Sequence, residues 1–299
     1  MSNIERLPLP ILNAIAPIAR LIPKPILALR YRRWAGKPLN WKQPSNLQEY
    51  IFKTLADAIT QPSKLEMLSV MADKIAVRDY VNKKAPSLKC PTLFGTWDKI
   101  ESIDWTTLPD KFVMKTNNGC ATNIIVRKKD NLDINEAATK LSRWLKFPYG
   151  ALSGQLQYDG IPPMILAEEL LEVPGAANAL PVDYKIFCFH GKAEFILYYE
   201  DRSENGHLTP NMAFDLEWNP LPGIVNWPIN HDVCAPLSLK EMIHYAEKLS
   251  KDIDFARIDF YEINKQPVFG EITLTPDVIT NFTNDFLVSS MKFTLPHRI

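Results

Sequence analysis

Two short apolar runs near the end of the chain, ARIDFYEI and VFGEITL, carry charges where a buried strand has none. Successive side chains of a strand point to opposite faces, so Arg257 and Asp259 share one face of the first run while Ile258 and Phe260 share the other. The second run repeats the pattern, with Glu271 and Thr273 on one side and Ile272 on the other. A turn around residues 264–266 makes the runs a hairpin, and a loop with an odd number of residues sets Asp259 opposite Glu271. Two carboxylates facing each other repel, so a cation belongs between them, and hard oxygen donors at this spacing suit Mg²⁺ held together with substrate phosphates. An edge hairpin with one face in water fits the same alternation.

Other segments carry chemistry of a related kind. In FVMKTNNGCATNIIV an apolar strand ends at Lys115, passes through the small-residue loop 116–122, and returns as a second strand. Small side chains let backbone N–H groups approach an anion, and a lysine at the strand end adds a point charge suited to phosphate. Neither glycine pattern of the common nucleotide loops is present, and a plain polar hairpin explains the segment as well. Glu168 and Glu169 follow the buried-looking MILA, where a carboxylate beside exposed backbone is what an adenine amino group needs; a solvated strand end reads the same way. Asp183 and Lys185 share one face of DYKIFCF. Lys74 lies in ADKIAVRDYV, a helical pattern in which a surface lysine is ordinary.

Elements of both kinds must position these groups. Residues 45–85 show apolar spacings of three and four, broken at Gln61-Pro62-Ser63, and predict helices. From about residue 108 the period is two: PDKFVMK, TNIIV, PPMILAEELL, DYKIFCF and KAEFILYYE predict strands, with helices over 131–146 and 238–253. His190-Gly191 suits a tight turn, because both accept positive φ. The mixture predicts an α+β or mixed α/β body.

The 299 residues are 46% hydrophobic, with 34 basic and 34 acidic side chains that cancel, so nothing general attracts nucleic acid or an anionic membrane. Four scattered cysteines fit a reducing compartment without a zinc site. No run reaches the roughly 18 apolar residues of a membrane span. The proline-broken apolar start, residues 8–30, predicts short helical pieces that either pack on the body or lie on a membrane surface.

The order of these features resembles the ATP-grasp superfamily. The segments DKIAVRDYV, LPDKFVMKTNNG, DYKIFCFHGK, LSKDIDFARIDFYEI and VFGEITLTP are similar to the TupA-like ATP-grasp group over about residues 70–280. The resemblance implies an α+β ATP-grasp fold, two subdomains holding ATP between them after a helical N-terminal region. Its boundaries fall at 1–72 for that region, 73–107 for a linker and helix, 108–172 for a lid subdomain and 173–299 for a catalytic, metal-binding subdomain. Lys74 and Lys115 would grip phosphates under a lid at 116–122 that includes Asn118 and Gly119, and Glu168 with the backbone at Leu170 would hold adenine. Asp183 would face the ribose, and Lys185 the phosphates or acceptor. Asp259, Glu271 and Thr273 would bind Mg²⁺, and Arg257 would stabilise charge on the transferred phosphoryl. The wider superfamily often has asparagine where Thr273 stands; the TupA-like group resembles this chain in having threonine. Ala121 and Asp277 fall where relatives tend to have glycine, which stiffens both places.

The implied reaction is amide formation through an acylphosphate, without a protein nucleophile. The family's link to teichuronopeptide synthesis implies joining an amino acid or peptide to a uronic acid of a cell-surface polysaccharide, in the cytoplasm or at the inner face of the membrane. Trp218, Trp227 and Tyr199 suit sugar stacking or plain packing, and the turn-rich segment 201–236 is the expected acceptor contact. A glycosyltransferase of the same pathway and a non-catalytic nucleotide-binding partner are the alternatives; the first would need a D-x-D metal motif, and Asp252-Ile253-Asp254 reads as a helix end.

Overall fold

Proline punctuates the helical part of the chain. The computed structural model describes residues 7–175, 179–199, 212–222, 224 and 232–276. Helices α1 (Leu9–Leu21) and α2 (Pro23–Ala35) meet at Ile22 with a bend of 105°, Pro23 taking the first helical position of α2. Helices α3 (Leu47–Ala58) and α4 (Pro62–Ala72) part at the predicted break, again with proline at a helix start. A second break precedes α5 (Ala76–Lys84). There the side chain of Asp73 accepts from the Ile75 N–H at 2.8 Å, and its carbonyl accepts from Val77. Lys74, read from the sequence as helical, therefore sits in the turn between α4 and α5. An aspartate that caps the next helix outcompetes continuation of the previous one.

The chain divides into two compact units, each gathered from separate stretches. The first holds the described residues of Met1–Pro38, Leu55–Arg78 and Pro91–Leu170; the second holds those of Leu39–Thr54, Asp79–Cys90 and Leu171–Ile299. In the first unit, β1 (Leu93–Trp97), β2 (Phe112–Thr116), β3 (Asn123–Val126) and β4 (Ile165–Glu168) form an antiparallel sheet in the order β1-β4-β2-β3. Helix α6 (Ile134–Lys146) begins at Asp133, whose side chain accepts from the Glu136 N–H. Leu141 of this helix packs on Phe112, Met114, Val126 and Ile165, the apolar face that the period of two foretold. The short helix α7 (Tyr149–Ser153) supplies Ala151, against which Ala16 and Ala19 of α1 are buried. Of the two fates left open for residues 8–30, packing on the body holds for this face of α1.

The second unit is built on an antiparallel sheet in the order β7-β6-β5-β8-β9. Its strands are β5 (Asp183–Phe189), β6 (Lys192–Tyr199), β7 (Met212–Phe214), β8 (Phe255–Ile263) and β9 (Gln266–Thr273). Helix α8 (Leu239–Ser250) packs on β5, β6 and β8, and Ser250 bonds to the buried Cys188. Cys188 alternates with Phe187 and Lys185, so the helix covers the face opposite the charged one. His190 and Gly191 form the two-residue turn between β5 and β6, with φ of 48° and 78°.

The β8–β9 hairpin reaches its register by an unexpected route. Its loop is the even pair Asn264-Lys265, both at positive φ as a type I′ turn requires. Counted from that turn, Asp259 would oppose Gly270 and turn Glu271 to the far face. A β-bulge instead shifts the register: Phe260 pairs with Phe269, and Asp259 pairs with Glu271. Gly270 is the extra residue, and a Cβ there would lie 2.9 Å from the Asp259 carbonyl oxygen. The facing carboxylates are thus produced by the bulge and not by an odd loop. We expect Gly270→Ala to cost about 1–3 kcal/mol of stability by forcing the bulge apart, measured by urea unfolding; an unchanged midpoint would show that the strands absorb the methyl group.

Candidate functional site

On the face of the second unit's sheet that α8 leaves uncovered, three adjacent strands present one row of charge, most of it buried. Lys185 pairs with Asp259 across β5 and β8, and Asp259 pairs with Glu271 across β8 and β9; Arg257 and Thr273 form the next row. Asp183 lies one alternation along from Lys185. The period-two reading therefore brings together Asp183, Lys185, Arg257, Asp259, Glu271 and Thr273.

Their contacts satisfy almost all of this charge internally. Lys185 Nζ reaches Asp183 at 2.6 Å and Asp259 at 2.5 Å, and stands 5.1 Å from the centre of the Tyr199 ring. Arg257 binds Asp259 through two nitrogens, each at 2.7 Å, the bidentate geometry that suits a guanidinium. The same Nη2 donates to Glu271 Oε1 and Thr273 Oγ1, both at 2.9 Å, and the Thr273 hydroxyl donates to Glu271 at 2.6 Å. The cation demanded between the two carboxylates is, in this structure, the guanidinium itself. Asp259 is 1% exposed. Burial is the largest influence on its carboxyl and pushes it above the ordinary range, against Arg257 and Lys185 and with Asp183 and Glu271 adding repulsion. Burial works against the Arg257 charge, but Asp259 and then Glu271 more than offset it and raise its proton affinity.

One nitrogen thus marks a point where oxygens of Asp259, Glu271 and Thr273 converge within 2.9 Å. Two carboxylates and a hydroxyl fit the hard donor set of Mg²⁺, which completes its shell with water and phosphate. Among the described residues no group of three or more His, Cys, Asp and Glu could hold a metal.

The first unit carries a second constellation across the antiparallel pair β2 and β4. Lys115 and Arg78 both bind Glu168, one to each carboxylate oxygen, and Arg78 reaches its oxygen at 2.9 Å. Arg78 also donates to the Pro91 carbonyl through both terminal nitrogens. Burial raises the Glu168 carboxyl, but Lys115 and Arg78 more than compensate and leave it below the usual range. Glu169 turns the other way and accepts from the N–H and hydroxyl of Thr92. Leu170 is buried just beyond β4.

The loop 116–122 is anchored through its asparagines. Asn117 donates to Asp73 and the Pro162 carbonyl and accepts from the Met164 N–H. Asn118 donates to the carbonyls of Trp144 and Leu145 at the C-terminal end of α6, the first of which also accepts from the Phe147 N–H. Lys74 reaches from its turn to the Gly119 carbonyl at 2.5 Å. Ala121 adopts a φ of 54°, the left-handed region that favours glycine. The buried Thr116 Oγ1 and Asn118 Oδ1 find no hydrogen-bond partner, an unusual pair of orphans in a loop read as anion-binding.

Of the residues singled out from sequence, Lys115, Glu168 and Leu170 lie on the β2 and β4 pair and just beyond it, and Lys74, Asn118 and Gly119 gather on the loop. The sequence reading passed over Arg78. Its signal was the Glu168-Glu169 pair, since a buried carboxylate at a strand end requires cations, and Lys115 supplies one only. The aromatic candidates are packing groups where they can be described. Tyr199 is buried, and Trp218 stacks on Phe214 at 4.0 Å while its indole donates to Val233. Trp227, Asp277 and most of 201–236 lie outside the described residues.

Comparison with known proteins gives this arrangement its class. The TupA-like ATP-grasp family model matches residues 54–290, and the chain belongs to that family of ATP-grasp ligases. No curated protein matches the chain in sequence. Among solved structures, the D-alanine–D-alanine ligase of Bacillus anthracis complexed with ATP is similar at 13% identity and a TM-score of 0.42, over 76% of this chain and 68% of that one. An L-amino acid ligase of Bacillus licheniformis is similar at 14% identity and a TM-score of 0.45, over 75% of this chain and 48% of that one. Phosphoribosylamine–glycine ligase of Thermotoga maritima is similar at 12% and 0.43, over 70% and 48%. The chain thus spans about half the length of the last two.

Glu168 titrates below its unfolded value, so its stabilising contribution is complete above the ordinary carboxylate range and is lost as pH falls through the folded value. Glu168→Gln should lower stability by about 2–3 kcal/mol at neutral pH, because two cations lose their charged acceptor. In urea titrations, the gap to the parent protein should close progressively below about pH 4. A gap that stays constant in acid would mean that the carboxylate's charge is not what holds Lys115 and Arg78.

Proposed function

We propose that the protein is an ATP- and Mg²⁺-dependent carboxylate–amine ligase that forms an amide through an acylphosphate and releases ADP. The observation that supports this best is the convergence of Asp259, Glu271 and Thr273 oxygens on one point beside Arg257 and Lys185. A structural ion pair needs one acceptor for one donor. Here a guanidinium bridges three acceptors of a kind and spacing that hold a divalent cation, and that cation would supply charge neutralisation for phosphoryl oxygens.

In this reading Asp259, Glu271 and Thr273 hold the metal, and Arg257 leaves its bridging position to contact the transferred phosphoryl group. Arg257 keeps its proton throughout, since the surrounding carboxylates raise its affinity. Lys185, held by Asp183 and Asp259, offers a second fixed charge toward phosphate or acceptor. Asp183 meets the ribose. In the first unit, Lys115 exchanges Glu168 for phosphate, while Glu168 and the backbone at Leu170 take the adenine end. Lys74 and the loop at Asn118 and Gly119 cover the phosphates. These groups act by positioning and by electrostatics, the main resources of phosphoryl transfer.

For substrates we propose the carboxylate of a uronic acid in a cell-surface polysaccharide and the amine of an amino acid or peptide, joined in the cytoplasm or at the inner face of the membrane. Support for this comes from the family resemblance. The test is ATP turnover with Mg²⁺ over a panel of uronic acids and amino acids. ADP and phosphate should appear only when a carboxylate and an amine are both present. Asp259→Asn and Glu271→Gln should each reduce turnover by about 10²–10³, and Arg257→Ala by about 10³. Tight ATP binding without acceptor-dependent ADP across the panel would overturn the ligase reading.

A further inference from the structure

Helix α1 has two apolar faces, and the body covers one. Leu12, Ala16 and Ala19 point inward, at spacings of four and three. Ile11, Ile15, Ile18 and Ile22 follow the same spacing one position earlier or later, and they are 38–63% exposed, with Leu21 at 81%. Single exposed apolar residues are ordinary, but a helix-long stripe of isoleucine is a surface that something covers. Helix α2 continues the pattern with Leu29 and Trp34, both exposed.

The charge of this segment says what that something is. Residues 7–37 contain Arg20, Lys24, Arg30, Arg32, Arg33 and Lys37 and no acidic residue, in a chain whose 34 basic and 34 acidic residues cancel as a whole. Arg20 turns to Asp159 and Arg30 to the Ser153 carbonyl. Lys24, Arg32, Arg33 and Lys37 are exposed on α2 and the turn after it. Isoleucine, tryptophan and clustered cations without acids are the composition of a helix lying in a lipid interface, its apolar side in the acyl boundary and its cations among anionic headgroups. Among the described residues no single helix is long and apolar enough to cross a membrane; α1 and α2 meet that test of length and composition only as a pair, bent by 105°. Each has 13 residues, about 20 Å of helix, against a hydrocarbon core of about 30 Å.

We propose that α1 and α2 form a docking surface for an anionic bilayer, on which the protein lies without crossing it. This goes beyond the ligase reading and does not depend on it. The test is flotation of the full chain with vesicles of phosphatidylcholine alone or mixed with phosphatidylglycerol. The protein should float with the anionic vesicles and much less with the neutral ones, and added salt should release it. Arg32→Gln with Arg33→Gln should weaken anionic binding about 25-fold, at about fivefold per charge. Ile15→Glu with Ile18→Glu should abolish flotation. These side chains are exposed, so the melting temperature should stay unchanged in both double variants and serves as the folding control. Failure to float with anionic vesicles, or flotation untouched by the glutamates, would overturn the proposal. So would light scattering that shows a dimer dissociated by the glutamates without any vesicle binding, since the face would then belong to a second copy. Acceptor-dependent ADP formation reports on the ligase reading separately.

Discussion

The repulsion between Asp259 and Glu271 organises the second unit's charged face. Directly opposed carboxylates on neighbouring strands destabilise a hairpin unless a cation lies between them. The protein meets this with Arg257, which in turn requires Thr273 within reach and Lys185 on the adjacent strand to share the load on Asp259. Asp259 has almost no access to water, so each of these contacts substitutes for lost hydration. The opposite face of the same strands can then be wholly apolar under α8. One pair of acids therefore fixes which side of the sheet is open to chemistry and which side is core.

Much of this was legible from alternation alone. Ile258, Phe260 and Ile272 against Arg257, Asp259 and Glu271 could be sorted to faces because a strand has period two, and a single-residue slip would have buried the charges. What alternation could not give was how the two strands are set against each other. Asn264 and Lys265 make an even loop that taken alone yields the wrong pairing, and the correction is a bulge at Gly270, a residue with no side chain to mark it. Lys74 failed for a similar reason: the apolar spacing around it is helical, and only the capping role of Asp73 reveals that the helix stops. The edge strand β1, whose side chains are mostly outside the core, carries little periodicity and went unread. Arg78 lies far in sequence from the carboxylate it neutralises, and nothing local marks it.

The two charged groups differ in how they are held. In the first unit Glu168 is shared by Lys115 and Arg78, an arrangement in which one cation can leave while the other keeps the acid neutral. The adjoining loop is pinned through Asn117 and Asn118, yet its Ala121 occupies a backbone region that costs a residue with a side chain about 1–2 kcal/mol. Rigid anchoring at one end and strain at the other describe a loop with a preferred shape, unlike a freely moving flap.

The way the chain is divided bears on how it can be made and altered. Neither unit is a continuous stretch: the second takes residues from 39–54 and 79–90 as well as the described residues from 171 onward. Tyr50, whose ring lies against Phe189, leaves the ribosome long before its neighbour exists. That helix must wait, solvated or chaperoned, until the sheet is complete, and such long-range closure slows folding. It also means that neither unit can be excised or exchanged as a single continuous cassette.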